Sequence, residues 1–447
     1  MLRRKFLSSL ALISGSAALG FHCQRSTDKD TESTAVESMI PGTIGKVTEP
    51  AKEIPVVAKT DVLVIGAGPA GVTAALSASR AGASTILAER YNHLGGLWTG
   101  GLVLPLLSTH ATDQNKNFKK VIFGIGDEIS QRLKDMGMSI HEVNPVIDPE
   151  AGKYVMDAMI KESGVEMLYH CWASNLIMEN NLIKAVILES KSGRVAVLPK
   201  VVIDCTGDGD IFHLAGESYE MMKYHIGLVH RLGNMDKIDA TREGFKEIQV
   251  GNPTPIPGVN WVNMHGLDDQ DGTDLFTLSK LQQEYRINIW ESTEELKSVP
   301  GYEKVFLLDT ASQIGVRMSR ILQGEYQLTL RDTMTFESFD DSIGISGAWL
   351  DVMYNGQRVP MNKRPLWQIP YRSLVPRQTD NLLVAGRCFS FEQALVEDCR
   401  IIGTCLVTGH GAGAASAVAA RSDCSVKEVD IEQVQKILTG QKALIEC

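Results

Sequence analysis

Thr60-Asp61-Val62-Leu63-Val64-Ile65-Gly66-Ala67-Gly68-Pro69-Ala70-Gly71 is the stretch that decides the fold of this 447-residue chain. Val62 to Ile65 is an apolar, β-branched run of the kind buried in a parallel strand, and Val72 to Arg80 has the Ala-rich composition of a following helix. Gly-x-Gly-x-x-Gly therefore falls at a strand-to-helix turn. Gly66 suits the tight turn, Gly68 lets backbone approach a pyrophosphate, and Gly71 lets the helix sit close on the strand. The helix start, entered through Pro69 and Ala70, faces the phosphates with unpaired N–H groups and the positive end of its dipole. A second apolar run, Ser84 to Ala88, ends in Glu89-Arg90, at about the ~20-residue offset where a carboxylate hydrogen-bonds a ribose hydroxyl. A carboxylate there disfavours a 2′-phosphate.

Working outward, the length and the 44% hydrophobic content allow a large core and two domains, one of them discontinuous. A formal net charge of −10 provides no electrostatic footprint for nucleic acid. The N-terminus runs Arg3-Arg4-Lys5-Phe6-Leu7 into a weakly apolar stretch ending at Gly20, too short and interrupted to span a membrane. It reads as a twin-arginine export signal over 1–20, which predicts a periplasmic or extracellular protein. Cys23, preceded by Gly20-Phe21-His22, is a poor lipid-attachment site, so no lipid anchor and no integral membrane segment are expected. Residues 21–59 are rich in Ser, Thr, Glu, Lys and Pro and are read as a disordered spacer. The eight cysteines form no Cys-x-x-Cys pair, which argues against zinc or a locally held iron–sulfur cluster, and no metal site is predicted.

Leu94-Gly95-Gly96-Leu97-Trp98-Thr99-Gly100-Gly101-Leu102 is backbone able to pass close to a flat ring, or simply a glycine-rich connector. Helical patterning is expected around Asn117 to Met136 and Tyr154 to Ser163, with strands at Val165 to Leu168, Leu182 to Leu188 and Val201 to Asp204. The last leads into Cys205-Thr206-Gly207-Asp208-Gly209-Asp210. A late strand and turn, Asn381 to Cys388, precedes Gly403-Thr404-Cys405 and a small-residue helix from Gly409 to Ala417, whose start can offer N–H groups to a ring edge.

Together these elements resemble the FAD-dependent oxidoreductase family, related distantly to fumarate-reductase-type and heterodisulfide-reductase-type flavoproteins. The matching residues are Gly66 to Gly71, Glu89 with Gly95-Gly96, Asp148-Pro149-Glu150, Asp204 to Asp210, Ile314-Gly315-Val316-Arg317-x-x-Arg320, Ile369 to Leu374 and Leu383 to Arg387. The resemblance implies an α/β fold: a discontinuous Rossmann-like (GR2-type) FAD-binding domain with an inserted α+β substrate domain. Its expected parts are 60–215 and 371–425 for FAD, 216–370 for the substrate, and a C-terminal helix over 426–447. FAD is the implied cofactor, contacted by Gly66, Gly68, Pro69, Ala70, Gly71, Glu89, Arg90, Gly95, Gly96, Thr206, Gly207, Asp208, Gly386, Arg387 and Gly403. Many relatives carry Asp after the late glycine; here Arg387 follows Gly386 and can meet a phosphate with its fork of donors. Some relatives hold an iron–sulfur cluster on a cysteine run that this sequence lacks.

For the chemistry, Ala311 to Gln323 reads as a helix stopped at Gly324, with Arg317 and Arg320 on one face. Two such guanidiniums can hold a carboxylate, a polar substrate or the charge of reduced flavin, or can form structural ion pairs. His225, with His213, His230 and His265, can serve as a general acid or base, or as an ordinary surface or core histidine. His93 does not match the pattern of histidines that attach FAD covalently, and Cys388 reads as a small buried side chain without a redox partner. Trp261, Trp290, Trp349 and Trp367 cluster in the expected substrate region, as core or as sugar-stacking faces. The resulting expectation is an exported FAD-dependent oxidoreductase moving a hydride between flavin and a small polar, possibly carbohydrate-derived, substrate, with Arg317, Arg320 and His225 as catalytic residues and an unknown electron acceptor. The alternatives are a flavin-holding lyase or isomerase without net redox change, and a flavin-binding interaction module.

Overall fold

The computed structural model describes residues 45–113, 115–347, 352–354, 357–359 and 366–446. The expected export signal, the first part of the spacer, Cys23, Trp349 and Cys447 lie outside the described residues.

The first layer is a sheet. Strand β1 (Val56–Ile65) feeds helix α1 (Pro69–Arg80) and returns through β2 (Thr85–Ala88); after α2 (Ile125–Asp135) and α3 (Pro149–Ser163) come β3 (Glu166–Leu168), β4 (Trp172–Glu179), β5 (Leu182–Ser190), β6 (Gly193–Asp204) and the short α4 (Asp210–Leu214). Strands β3, β2, β1 and β6 run parallel in that order, while β5 and β4 fold antiparallel onto the N-terminal half of β6. Leu63, Val64, Val202 and Ile203 are fully buried, as both faces of a parallel sheet demand. Three expectations are corrected here. The spacer was read to 59, yet Val56 to Lys59 already pair with Ala196 to Leu198, because β6 extends well before Val201 and offers them a partner. The helix read from Asn117 begins at Ile125; Gly124, at φ +64, separates it from a strand, Phe118–Lys120, that pairs with His110–Thr112. Helix α3 starts five residues before the expected Tyr154, with Pro149 at its head and the Asp148 carboxylate accepting from the Ala151 N–H at 2.9 Å.

The second layer is an antiparallel sheet built on β7 (Tyr224–Gly233). Strand β8 (Asn260–Gln270) flanks one edge; beyond α5 (Leu275–Lys297), β9 (Phe306–Thr310) and the two-residue β10 (Gly315–Val316) flank the other. Helix α5 is capped by Asp274, which accepts from Thr277 N–H at 2.7 Å, and buries Leu281, Tyr285 and Ile289 against the sheet. The same hydrophobic cluster takes in Leu102, Leu104 and Val146 from the first layer, so the two layers share one interface core. No helix forms over Ala311 to Gln323. The segment instead pairs Gly315 and Val316 with Gly227 and Ile226, then forms β11 (Arg320–Leu322) against Tyr219–Met221. Strand partners supplied by distant residues override the helical spacing of Ile314, Met318 and Ile321.

The chain then returns to the first layer. Strands β12 (Ser342–Gly347) and β13 (Leu366–Pro370) form an antiparallel pair, and β14 (Leu382–Val384) lies parallel to Val202–Asp204 of β6, followed by α6 (Ile402–Ser422) and α7 (Ile431–Gly440). The first sheet is thus discontinuous in sequence. The expected substrate region 216–370 divides between two cores, since Met318, Ile321, Leu328, Ile343, Ile345 and Leu366 pack in the cluster that holds α1 and α6. Helix α6 begins at Ile402, seven residues before the expected Gly409; its N-cap, Ile401, supplies no side-chain bond and so leaves no sequence mark. It crosses α1 at Gly409 and Gly413, and Thr73 Oγ1 donates to Leu406 O at 2.9 Å.

Candidate functional site

Strands β1, β2 and β6 end at one edge. The loops that leave them, with the end of β14 and the start of α6, enclose a cavity of ≈ 1010 Å³ that extends to the second sheet. A second hollow, of ≈ 1200 Å³, lies between Lys119, Phe339 and Gln435 and meets none of the motif residues.

The glycine turn forms one wall. Gly66 takes φ +91, and a Cβ on it would lie 2.5 Å from the Cys205 carbonyl oxygen; one on Gly71 would lie 1.8 Å from Gly66 O. Gly71 therefore acts behind the cavity wall, closing helix on strand. Gly68, Pro69 and Ala70 line the cavity, and a Cβ on Gly68 would have nothing within 4 Å. Helix α1 has no side-chain cap and no acidic residue in its first turn, so its leading N–H groups are left for an anion. Glu89, 5% exposed, accepts from Ala67 N–H at 2.6 Å and Tyr91 N–H at 2.9 Å, which fixes its carboxylate at the end of β2 with lone pairs to spare. Beside it the Arg90 guanidinium lies 4.9 Å from the ring centroids of both Tyr91 and Trp172.

The loop after β6 is organised by Asp204. Its buried carboxylate accepts from Thr206 N and Oγ1, Ile211 N and Phe212 N, at 2.7–3.0 Å. Burial pushes its pKa up despite those bonds. Thr206, Gly207 and Asp208 line the cavity. Asp208 accepts from Arg387 Nη2 and Ser319 Oγ, both at 2.7 Å; burial works against its charge, but Arg387 and Arg90 hold its pKa below the usual range. Arg387, expected to meet a phosphate, therefore spends a guanidinium nitrogen on Asp208, with Gly386 lining the cavity next to it. Burial and the neighbouring Asp208 and Asp204 push Asp210 up to about 6. Gly96 lines the cavity with Leu97 and Trp98, whereas Gly95 ties the loop back through its N–H to Ala67 O at 2.8 Å. Gly403 sits behind the wall, where a Cβ would meet Leu107 O at 2.8 Å; Ile401 and Ile402, at the head of α6, face the cavity instead.

At the far end the second sheet contributes Trp261, Asn263, Gln313 and Arg317, and the turn before α6 contributes Glu397 and Arg400. Arg317 is placed there by its own N–H, which donates to His225 O at 3.3 Å. Burial and the nearby Arg400 charge press its pKa down. Arg320 points elsewhere: Nη1 donates to Asp208 O at 2.8 Å and to Asp210 at 3.2 Å, a structural ion pair. The two arginines thus separate, since β10 and β11 replace the expected helix. His225 is not on the cavity wall; its Nδ1 meets Asp268 Oδ1 at 2.8 Å. His213 and His230 are likewise off the wall. Of the four tryptophans, Trp261 borders the cavity, Trp290 is 59% exposed on α5 and Trp367 is buried in the other core. Cys388 is fully buried, with its thiol pushed well up by burial. His93 is buried against Tyr91 and does not line the cavity. Glu397 and Arg400 escaped sequence reasoning because neither carries a spacing pattern; the one signal was the basic residue just before Ile401-Ile402-Gly403.

The observations fit a bound dinucleotide flavin: an open glycine approach at Gly68, an uncapped helix start, a fixed carboxylate at Glu89 and a second uncapped helix start at Ile401. The family profile described as "FAD dependent oxidoreductase" matches residues 61–235 and 228–438. A thiamine thiazole synthase of Aeropyrum pernix is 31% identical over 132 residues, which is 29% of this chain and 44% of that protein. A digeranylgeranylglycerophospholipid reductase of Picrophilus torridus is 26% identical over 260 residues, 55% of this chain and 63% of that one. In both cases the chain spans less than two thirds of the relative. Among solved structures, a geranylgeranyl bacteriochlorophyll reductase-like protein of Thermoplasma acidophilum aligns with a TM-score of 0.43 and 14% identity, over 86% of this chain and 83% of that one. With its profile match running through nearly the whole described chain and its glycine turn, carboxylate and discontinuous sheet in place, this protein belongs to the FAD dependent oxidoreductase family.

Proposed function

We propose that the chain is an exported enzyme that transfers a hydride between FAD and a small polar organic substrate, carbohydrate-derived molecules included. The observation that carries the reading is the single cavity, which joins the glycine turn and Glu89 to a polar end made by Trp261, Asn263, Gln313 and Arg317. FAD, when bound, supplies a ring able to accept or deliver a hydride. The residues of the chain supply the rest. Gly68 and the head of α1 take the pyrophosphate, and Glu89 takes a ribose hydroxyl. Leu97, Trp98 and Val103 make an apolar stretch of wall that keeps water from the space between the two ends. Arg317 holds positive charge at the polar end without a proton to lose near neutrality. No single helix among the described residues is long and apolar enough to cross a membrane.

The visible spectrum of the purified protein tests the central claim. Flavin bands that pass to the supernatant after acid precipitation are expected, followed by bleaching on anaerobic addition of a substrate from a panel of polar alcohols, sugars and hydroxy acids. A colourless protein that FAD cannot reconstitute overturns the reading. Export is supported by Arg3-Arg4 with Phe6-Leu7 and the weakly apolar stretch that follows them. Conversion of the pair to Lys-Lys is expected to keep the folded, flavin-bound protein inside the cell; unchanged release would remove the twin-arginine route.

A further inference from the structure

We infer that the polar end of the cavity is the seat of a singly charged carboxylate on the substrate, held by Arg317 with Arg400 beside it. The inference rests on the function proposed above, in that the reacting molecule occupies this cavity. Four arginines line the cavity. Arg387 is held by Asp208. Arg400 is held by Glu397. Arg90 is stacked on Tyr91 and Trp172. Arg317 differs: among the described residues its guanidinium donates no hydrogen bond and has no carboxylate within 4.0 Å. Arg317 is only partly buried, but burial already weighs against its charge, and a ligand that brings the missing anion offsets that cost.

The neighbours narrow the ligand. Glu397 is the one nearby carboxylate on the wall, and it is already engaged by Arg400 and by the Tyr224 hydroxyl. Asp268 is engaged by His225 and its side chain is 90% exposed. Arg317 and Arg400 set against Glu397 leave one positive charge. A monoanion neutralises it; a phosphate dianion would leave a negative charge facing Glu397. The planar fork of Arg317 matches the two oxygens of a carboxylate. Gln313, on the same wall, offers its carboxamide to the rest of a polar molecule. None of the contacts at the glycine turn or at Glu89 involves Arg317, which separates it from the residues that meet the pyrophosphate and the ribose.

The test uses the FAD-loaded protein at constant ionic strength, titrated with acetate, lactate and benzoate and with the corresponding amides, and read by perturbation of the flavin bands and by calorimetry. At least one acid is expected to bind saturably, with its amide at least tenfold weaker. Arg317→Gln is expected to raise the Kd of that acid tenfold or more, a loss of about 1.4 kcal/mol or more, with FAD stoichiometry unchanged and Arg317→Lys intermediate. Acids that bind no better than amides or not at all, inorganic phosphate that outcompetes every acid, or an Arg317→Gln protein that keeps both FAD and acid affinity would each overturn the inference. Should Arg317→Gln fail to fold, the comparison of acid with amide on the unaltered protein decides. Should the protein take up no FAD, the functional reading falls, while calorimetry on the flavin-free protein still decides the carboxylate.

Discussion

Gly413→Ala is the sharpest perturbation of the scaffold. A methyl group at this position of α6 would lie 2.2 Å from Ala74 O and 2.8 Å from Ser77 Cβ, both on α1. Restoring an ordinary contact requires the two helices to part by roughly 1 Å at that turn, in an interior packed at crystal-like density. Overpacking of this kind costs about 1–3 kcal/mol, and the upper part of the range is expected because the atom struck is backbone. The better helix propensity of alanine returns up to about 1 kcal/mol. A net loss of about 1–2 kcal/mol corresponds to a fall in Tm of roughly 1–2 °C in a chain of this size. Since the head of α1 carries Gly68 and Pro69, the displaced helix is also expected to weaken FAD binding. Thermal unfolding by far-ultraviolet circular dichroism reads the first effect, and recovery of flavin fluorescence on dilution reads the second. Gly440→Ala is the control, because a Cβ there has nothing within 4 Å and its Tm is expected to hold or rise slightly. A Gly413→Ala protein with wild-type Tm and FAD affinity would refute the close crossing of α1 and α6.

Three further outcomes are expected. Burial holds His410 down at about 4, against an unfolded value near 6.5, so the unfolded chain binds the extra proton first; the stability at stake is present in full above pH 6.5 and is lost as pH falls towards 4, by roughly 3 kcal/mol. His410→Gln should flatten the acid limb of urea stability measured from pH 7 to 4, and an unchanged limb would exclude His410 as its source. Arg387→Met strands the buried Asp208 carboxylate with Ser319 as its remaining short-range donor and is expected to cost about 3–5 kcal/mol in urea unfolding, much of it recovered when Asp208 is also made apolar. Glu89→Gln keeps one acceptor oxygen for two backbone N–H groups and removes the charge offered to ribose; the Kd for FAD should rise about tenfold, and equal affinity by equilibrium dialysis would remove Glu89 from the cofactor seat.

What was legible in the sequence was local. The turn at Gly66 to Gly71 and the carboxylate of Glu89 could be read because neighbouring residues dictate them: a buried strand, a tight turn and a helix start follow one another within a dozen positions. Arg317 was found for its residue type, but its helix was not there, because Gly315 and Val316 pair with Gly227 and Ile226 across ninety positions that no local pattern records. The start of α6 was displaced to Gly409 because Ile401 is no capping residue, while the glycines at 409 and 413, which look like a helix opening, are the points where α6 meets α1. Glu397 and Arg400 became part of the site through the turn that brings α6 to the cavity. Val56 to Lys59 looked like spacer until β6 supplied them with a partner. The fold was therefore readable, with the glycine-turn residues that line the cavity, and at the far end of that cavity Arg317 alone was.

The late return of β14 and α6 to the first sheet has a consequence for how the protein is made. Val202 waits for Leu382, and Thr73 waits for Leu406, a partner 333 positions further on. The second sheet, by contrast, closes within residues 224–316. On the ribosome, the β7–β10 sheet can therefore form while the glycine turn still lacks the helix that backs it, and contacts of such long range are the slow ones. The wall supplied by Ile401 and Ile402 does not exist until nearly nine tenths of the chain has been translated. Completion of the FAD pocket consequently comes late in translation or after it, and a polypeptide cut short before α6 would carry a complete dinucleotide sequence motif without the wall that Ile401 and Ile402 supply.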